Sequence, residues 1–427
     1  MKKKILKITG IIIIVLIILL LAAPFLFQNK IKELVLKSIN EKVDATVAFE
    51  DVSLSFLKSF PKANVTIEKL SIINKAPFEG DTLFYSGELS LKMSVKELFK
   101  SEGEPMELES FSSTDGIVNI IFNKDGIGNY DIAIKDKKEE NATESKPFAL
   151  NIQSYVINNL KFTYLDQASN IKMVIDKIQH TGTGNFAASK LDLDTDTKAN
   201  LTLDMDKTNY MKDVALTLDA VLGIDLENSK YEFKDNKALI NQLPLEFKGF
   251  IQLVEAGQMY DLTFKTPTSS FQNFLGLIPS GYKGDLDKIK TTGDFTVGGF
   301  AKGLYSDTTI PKFDISIASN NASFKYPDLP KKVENIIIDT KIKNETGLIN
   351  DTFVNIDQLS FKIDQDVFSA KANIKNLSEN PLVDAALKGT INLGNFTKAY
   401  PVKLDTPLSG ILKADVTTKF DSEAVEK

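Results

Sequence analysis

Residues 191 to 206 read LDLDTDTKANLTLDMD, and the fold turns on how this stretch is read. Its odd positions, Leu191, Leu193, Thr195, Thr197, Ala199, Leu201, Leu203 and Met205, are apolar or threonine. Its even positions are polar, and Asp192, Asp194, Asp196, Asp204 and Asp206 place carboxylates there. Strict alternation marks a strand with one face against something apolar and the other in water. The competing reading is a cation loop. A calcium loop of the D-x-D-x-D-G type needs Gly at its sixth position and Glu at its twelfth. Counted from Asp192, those positions hold Thr197 and Leu203, and alternate strand residues stand about 6.6 Å apart without converging on one ion. The aspartates are therefore the wet face, and Leu191, Leu193, Leu201, Leu203 and Met205 form the apolar wall that is the candidate binding surface. At about 3.3 Å per residue the stretch makes a strand near 50 Å long, several times the usual ~17–20 Å.

The same period-two pattern fills most of the chain after Val43: VAFEDVSLSF, ANVTIEKLSII, GELSLKMSV, GIVNIIF, SYVINNLKFTYL, VALTLDA, YDLTFK, FDISIAS, VNIDQLSFKI, AALKGTINL and GILKADVTT are among the runs. Gly, Pro, Asn and Asp separate them at distances too short for helical crossovers, which predicts a mainly antiparallel sheet. After residue 45 only SVKELFK and two NFxxxxP segments look helical. Those two segments also carry a weak internal repeat. Asn273-Phe274 precedes Pro279 as Asn395-Phe396 precedes Pro401, and Gln242-Leu243 and Gln358-Leu359 lie upstream in the same order, for a unit of about 120 residues.

The amino terminus reads differently. Lys2, Lys3, Lys4 and Lys7 precede an uncharged run from Ile8 to Phe27, long enough at ~1.5 Å per residue to span a bilayer core of ~30 Å. A cleaved signal peptide would have a shorter apolar core and a small-x-small site, whereas this run continues through Pro24-Phe25-Leu26-Phe27. An uncleaved anchor is expected, with Ile11, Ile14, Leu16, Leu20 and Phe25 facing lipid, residues 1–7 cytoplasmic and the rest across the membrane. Ile31, Leu34, Val35 and Ile39 then fall at helical spacing, which predicts a juxtamembrane amphipathic helix over 28–42. A first β region follows over 43–134, and a solvated charged insertion, KDKKEENATESK, over 135–146. The β-sheet continues over 147–427.

Composition removes most chemistry. The 427 residues carry a formal charge of -6, with no basic patch beyond the first seven positions, so there is no nucleic-acid footprint. There is no Cys, no Trp and one His, which leaves no thiol chemistry and little from which to build a zinc site or a triad. His180, in KIQHTGTGN, reads as a turn histidine. The glycines of TGTGNF (Gly182, Gly184) and DGIGNY (Gly126, Gly128) do not continue as a phosphate-binding GxGxxG opening a helix and read as β-turns. Neither a cofactor, a metal nor an enzymatic activity is expected. What remains is the apolar face, which a long antiparallel sheet must cover with protein, by folding on itself, or with an apolar ligand held in a curled groove.

Two blocks carry a family resemblance. SLSFLKSFPKANVTIEKLSIINKAPFEGDTLFYSGELSLKMSVKELF with the following GIVNIIFNKDGIGNYDI resembles the amino-terminal region of AsmA-family proteins of the Bacteroidota type. GGFAKGLYSDTTIPKFDISIASNNASFKYPDLPKKVENIIIDTKI is similar to a later block of that family, with Tyr326-Pro327-Asp328-Leu329-Pro330 its most recognisable element. The resemblance implies a single-pass bacterial inner-membrane protein, periplasmic in bulk, related to TamB-like and bridge-like lipid transfer proteins. It implies a mainly β fold: a transmembrane helix, then a long, twisted, curled antiparallel sheet with an apolar groove that conducts phospholipid acyl chains toward the outer membrane. Effects on outer-membrane protein assembly, and contact with that machinery, are the alternative function it implies. Family members usually continue beyond the second NFxxxxP unit, so the chain is expected to be shortened at its carboxy terminus.

Overall fold

The computed structural model describes residues 43–56, 62–99, 107–134, 152–186, 188–205, 208–241, 243–268, 270–275, 288–306, 308–377, 380–400 and 409–425. The expected anchor over 8–27, the juxtamembrane helix over 28–42 and the insertion over 135–146 lie outside them. Among the described residues no helix is long and apolar enough to cross a membrane.

The protein is mainly β, with twenty strands in one mixed, mostly antiparallel sheet. The chain divides into two compact units, 1–214 and 215–427. In the first, β1 (Ala45–Ala48) and β2 (Asp51–Ser55) pair in turn with the two halves of β3 (Lys62–Asn74). The chain then meanders through β4 (Thr82–Ser94), β5 (Leu108–Phe122), β6 (Ser154–Asp166), β7 (Ile171–Thr183) and β8 (Lys190–Met205). The β5–β6 pair departs from the antiparallel expectation and is parallel. Its cause is the long connection between Phe122 and Ser154, which gives the chain the crossover of a dozen or more residues that a parallel pair requires.

Strands β3 to β7 share a device that sequence alternation hides. At one level across them the backbone turns left-handed at Lys69 (φ 50°), Asp115 (φ 54°), Asn159 (φ 57°) and Lys177 (φ 51°), with Gly87 at that level of β4. Each bulge lets one extra residue into its strand, bends it, and switches which residues face inward. On β3 the apolar face runs Ala63, Val65, Ile67, then Leu70 and Ile72; on β7 it runs Met173, Ile175, then Ile178 and His180. Because β3 to β6 all carry their extra residue at the same level, register is kept from strand to strand. β8 carries none, and the β7–β8 pairing shifts by one between Asp176 and Gln179. Side-chain amides stitch this crease. Asn159 donates to Asp115 at 2.6 Å, and Asn200 donates at 2.6 Å to Asp213, itself left-handed at φ 51°. The core of this unit gathers at its β1–β4 end around Val52, Val65, Ile67 and Met93.

The second unit contains the rest of β9 (Thr208–Asp225) and then β10 (Lys230–Ile240), β11 (Leu243–Val254), β12 (Gly257–Lys265), β13 (Lys290–Thr292) and β14 (Thr296–Tyr305). It continues with β15 (Lys312–Lys325), β16 (Val333–Asn344), β17 (Phe353–Ile363), β18 (Asp366–Lys375), β19 (Leu382–Asn392) and β20 (Ile411–Asp421), all antiparallel. The three segments that look helical in the sequence are single turns: a 3-10 turn over Val95–Phe99 and short helices over Phe271–Leu275 and Leu393–Phe396.

Candidate functional site

Strand β8 alternates in burial from Lys190 to Ala199 as its sequence requires, and from Asn200 to Asp204 its two faces are buried alike. Leu191, Leu193, Thr195 and Ala199 are buried, Leu201 and Leu203 are half-buried, and Met205 is 37% exposed. On the opposite face Asp192, Asp194 and Asp196 are exposed, and Asp204 is half-buried; Asp206 lies outside the described residues. Of the five predicted wall residues, Leu191 and Leu193 are therefore enclosed by protein, while Leu201, Leu203 and Met205 keep surface that a ligand can touch. The predicted anchor residues Ile11, Ile14, Leu16, Leu20 and Phe25 lie outside the described residues.

Register carries the open part of this face across neighbouring strands. Leu203 pairs with Met173, Met173 with Tyr164, and Tyr164 with Ile120; one rung nearer the crease, Leu201, Ile175, Phe162 and Val118 follow in the same way. All of these side chains are half-buried. The result is an apolar strip crossing β5 to β8 on the far side of the crease from Leu191. The reverse face at the same rungs is mixed, with Lys161, Lys172, Thr202 and Asp204 beside Ile117, Ile121, Leu165 and Val174.

The crease divides that strip from a polar chain. Tyr155 Oη lies 2.7 Å from His180 Nε2, and His180 Nδ1 lies 2.8 Å from Thr197 Oγ1. These three residues sit on β6, β7 and β8 and occupy the same face as the leucines. His180 is thus a strand residue rather than the predicted turn histidine. Gly182 is likewise within β7, paired with Tyr155 and Thr195, and not in a turn. A β-carbon there would stand 2.4 Å from Tyr155 Cζ, so the glycine lets the phenol lie flat across β7 and reach the imidazole. The bulge at Lys177 turns His180 inward, and alternation alone gives no sign of it. Phe111 stacks on Tyr155 at 5.4 Å, fixing the ring from the other side. Burial pushes the Tyr155 hydroxyl pKa up and the His180 pKa down, the latter opposed by the Asp196 charge. The imidazole is consequently neutral near pH 7. Of the DGIGNY glycines Gly126 lies in a turn at φ 76°, while Gly128 forms an isolated antiparallel bridge with Phe122. Among the described residues no group of three or more His, Asp or Glu side chains is placed to hold a metal.

In the second unit the two NF segments meet one apolar cluster. Phe271 and Ala399 are buried on it with Leu243, Phe295, Ala322, Val333, Ile336 and Ile363, and Phe274 and Phe396 pack at its margin. There the apolar face is filled by protein. Lys331 holds the second segment, donating to Asn395 at 2.7 Å and pairing with Asp364, while Asn395 donates to Asp366 at 3.0 Å. Away from this cluster the inward residues, such as Leu262, Ile315, Ile342 and Ile356, are half-buried as in the first unit. Lys302–Asp261 and Lys343–Asp314 pairs, both at 2.8 Å, lie on the reverse face. Compared with protein-family models, with curated proteins and with solved structures, the chain matches none.

Proposed function

We propose that this chain is an AsmA-like protein of the bacterial inner membrane, held there by residues 8–27, that binds phospholipid acyl chains along the apolar face of its sheet and conducts them across the periplasm. The observation that carries the reading is the strip of half-buried apolar side chains around Leu201, Leu203, Met173 and Phe162, continued across four strands by their register. Contiguous apolar surface of this kind is rare on a soluble sheet unless something covers it. An acyl chain suits it: each buried methylene contributes about 0.8 kcal/mol without directional bonds, so a tail is held but free to slide. Curling of the sheet around the strip, driven by the aligned bulges, belongs to the same proposal.

The test is a photo-crosslinking amino acid placed at Leu203, at Leu193 and at Asp194 in the full-length protein in cells. Phospholipid adducts at Leu203 alone are the expected outcome. Adducts at Asp194 as abundant as at Leu203, or at neither position, refute lipid carriage.

A second reading, an assembly factor for outer-membrane proteins, has one observation in its favour. Among the described residues β20 pairs with β19 only, and Ile411, Leu412 and Val416 on it are 64%, 53% and 45% exposed. An open strand edge can template another strand. Crosslinks from Val416 to a nascent outer-membrane protein, with no lipid at Leu203, would favour it.

A further inference from the structure

We propose that Tyr155 and Thr197, the two ends of the hydrogen-bonded chain through His180, form a site for the oxygen-bearing end of an acyl lipid, an ester carbonyl or a carboxylate. The tail of that lipid lies along the Leu201–Leu203 strip. The proposal rests on the reading of that strip as an acyl-chain surface and adds where a chain stops and which atom of it is recognised.

Proton bookkeeping requires a third partner. A neutral imidazole has a single N–H and a single acceptor nitrogen. Together with the two hydroxyls it supplies three protons for the two bonds that Tyr155, His180 and Thr197 make among themselves. If Tyr155 donates to Nε2, then Nδ1–H donates to Thr197, whose own O–H is left over. In the other tautomer Thr197 donates to Nδ1, Nε2–H donates to Tyr155, and the phenol O–H is left over. Each tautomer leaves one O–H donor on an apolar face. Among the described residues neither hydroxyl has a further hydrogen-bond partner. An acceptor oxygen delivered by a ligand takes that proton in a hydrogen bond worth about 1 kcal/mol net.

The surroundings select an apolar ligand with one polar end. Beyond the chain toward Leu191 the face is closed by buried Leu193, Thr195 and Gly182. Toward Met205 it passes the buried Ala199 and Ile178 and opens from Leu201 and Ile175 onward. No lysine shares this face with the three groups on β6, β7 or β8, so a large polyanionic headgroup finds no counter-charge. A single acyl chain spans about half of a ~30 Å bilayer core, roughly 15 Å, or four to five residues of strand. Measured from Thr197, that ends between Leu201 and Leu203, on the open strip.

The experiment uses the full-length protein in detergent and three probes: palmitate labelled with 13C at its carboxylate, phosphatidylethanolamine labelled at its ester carbonyls, and hexadecane, which has the tail without oxygen. A carbonyl resonance shifted on binding identifies which oxygen source is taken. Tyr155→Phe keeps the ring over Gly182, and Thr197→Val removes the other end. Either change is expected to weaken the shifted lipid about five-fold, the worth of a hydrogen bond of ~1 kcal/mol, and to leave hexadecane binding unaltered. Hexadecane and labelled lipid weakened equally, or neither variant affecting the lipid, overturns this site while leaving acyl binding in place. Failure of all three probes to bind the parent protein overturns the acyl-chain reading itself.

Discussion

A lysine at Leu203 separates a ligand surface from a core position on the same strand. Leu203 is half-buried, so in the empty protein the long lysine stem can lie along the sheet with its ammonium in water. The fold should lose less than about 1 kcal/mol. When an acyl chain covers the strip, that lysine must give up its water or the tail must give up its contact. About four methylenes lie over one such position, at ~0.8 kcal/mol each, so the loss is near 3 kcal/mol and roughly a hundred-fold in retention. At Leu193, 6% exposed, the same substitution buries the ammonium in protein and its cost of several kcal/mol falls on folding instead. Fluorescent-phospholipid transfer between vesicles, together with urea unfolding, reads both quantities. Leu203→Lys should be folded and deficient in transfer; Leu193→Lys should be unstable. A folded Leu203→Lys protein that transfers lipid at the parent rate would refute the reasoning.

Three further outcomes follow from single features. His180 is the only histidine, and burial holds its pKa below the ordinary value. The unfolded chain therefore takes up a proton near pH 6.5 that the folded chain resists, so this contribution to stability is full above that pH and is lost as pH falls below it. Urea midpoints should fall more between pH 7.5 and 5.5 in the parent than in His180→Gln. Asn395→Ala removes the amide that accepts from Lys331 and donates to Asp366, which should cost about 1–3 kcal/mol locally and speed hydrogen exchange at the Ala399 and Tyr400 amides. Lys177→Gly relieves a left-handed lysine and should raise the urea midpoint, offset in part by the glycine's chain entropy; a lowered midpoint would count against the bulge geometry.

The strands were readable where a strand has no bulge. LDLDTDTKANLTLDMD keeps one parity without a bulge, and its two faces differ in burial as the sequence predicts from Leu191 to Ala199, whereas from Asn200 to Asp204 both are half-buried and Met205 is exposed. IKMVIDKIQHTGT does not, because Lys177 moves the inward set from Ile171, Met173 and Ile175 to Ile178, His180 and Gly182. Left-handed asparagine and aspartate at Asn159, Asp115 and Asp213 offer a weak signal, but a lysine in that conformation offers none. The two NF segments were legible as helical. That both would seat on one cluster, with Lys331 latching the second, depends on pairings between strands distant in sequence. The graded burial along β8 was equally invisible, since Leu191 and Leu203 differ only in what the rest of the chain lays over them. The parallel β5–β6 pair follows from a connection length that the charged insertion made easy to dismiss as a loop.

The row of bulges also constrains how such a chain can change its length. Removing one residue beside the bulge, such as Lys161, would leave the extra residue at Asn159 in place, so that either Tyr155 and Ile157 or Phe162 and Tyr164 would be turned to the wet side. Pairing with both neighbours would slip as well. Losses or gains within these strands are thus tolerable in twos, or as compensating pairs on adjacent strands, much as a reading frame tolerates only whole codons. Lengthening by whole hairpins escapes the constraint, because a new strand inherits its level from the one beside it.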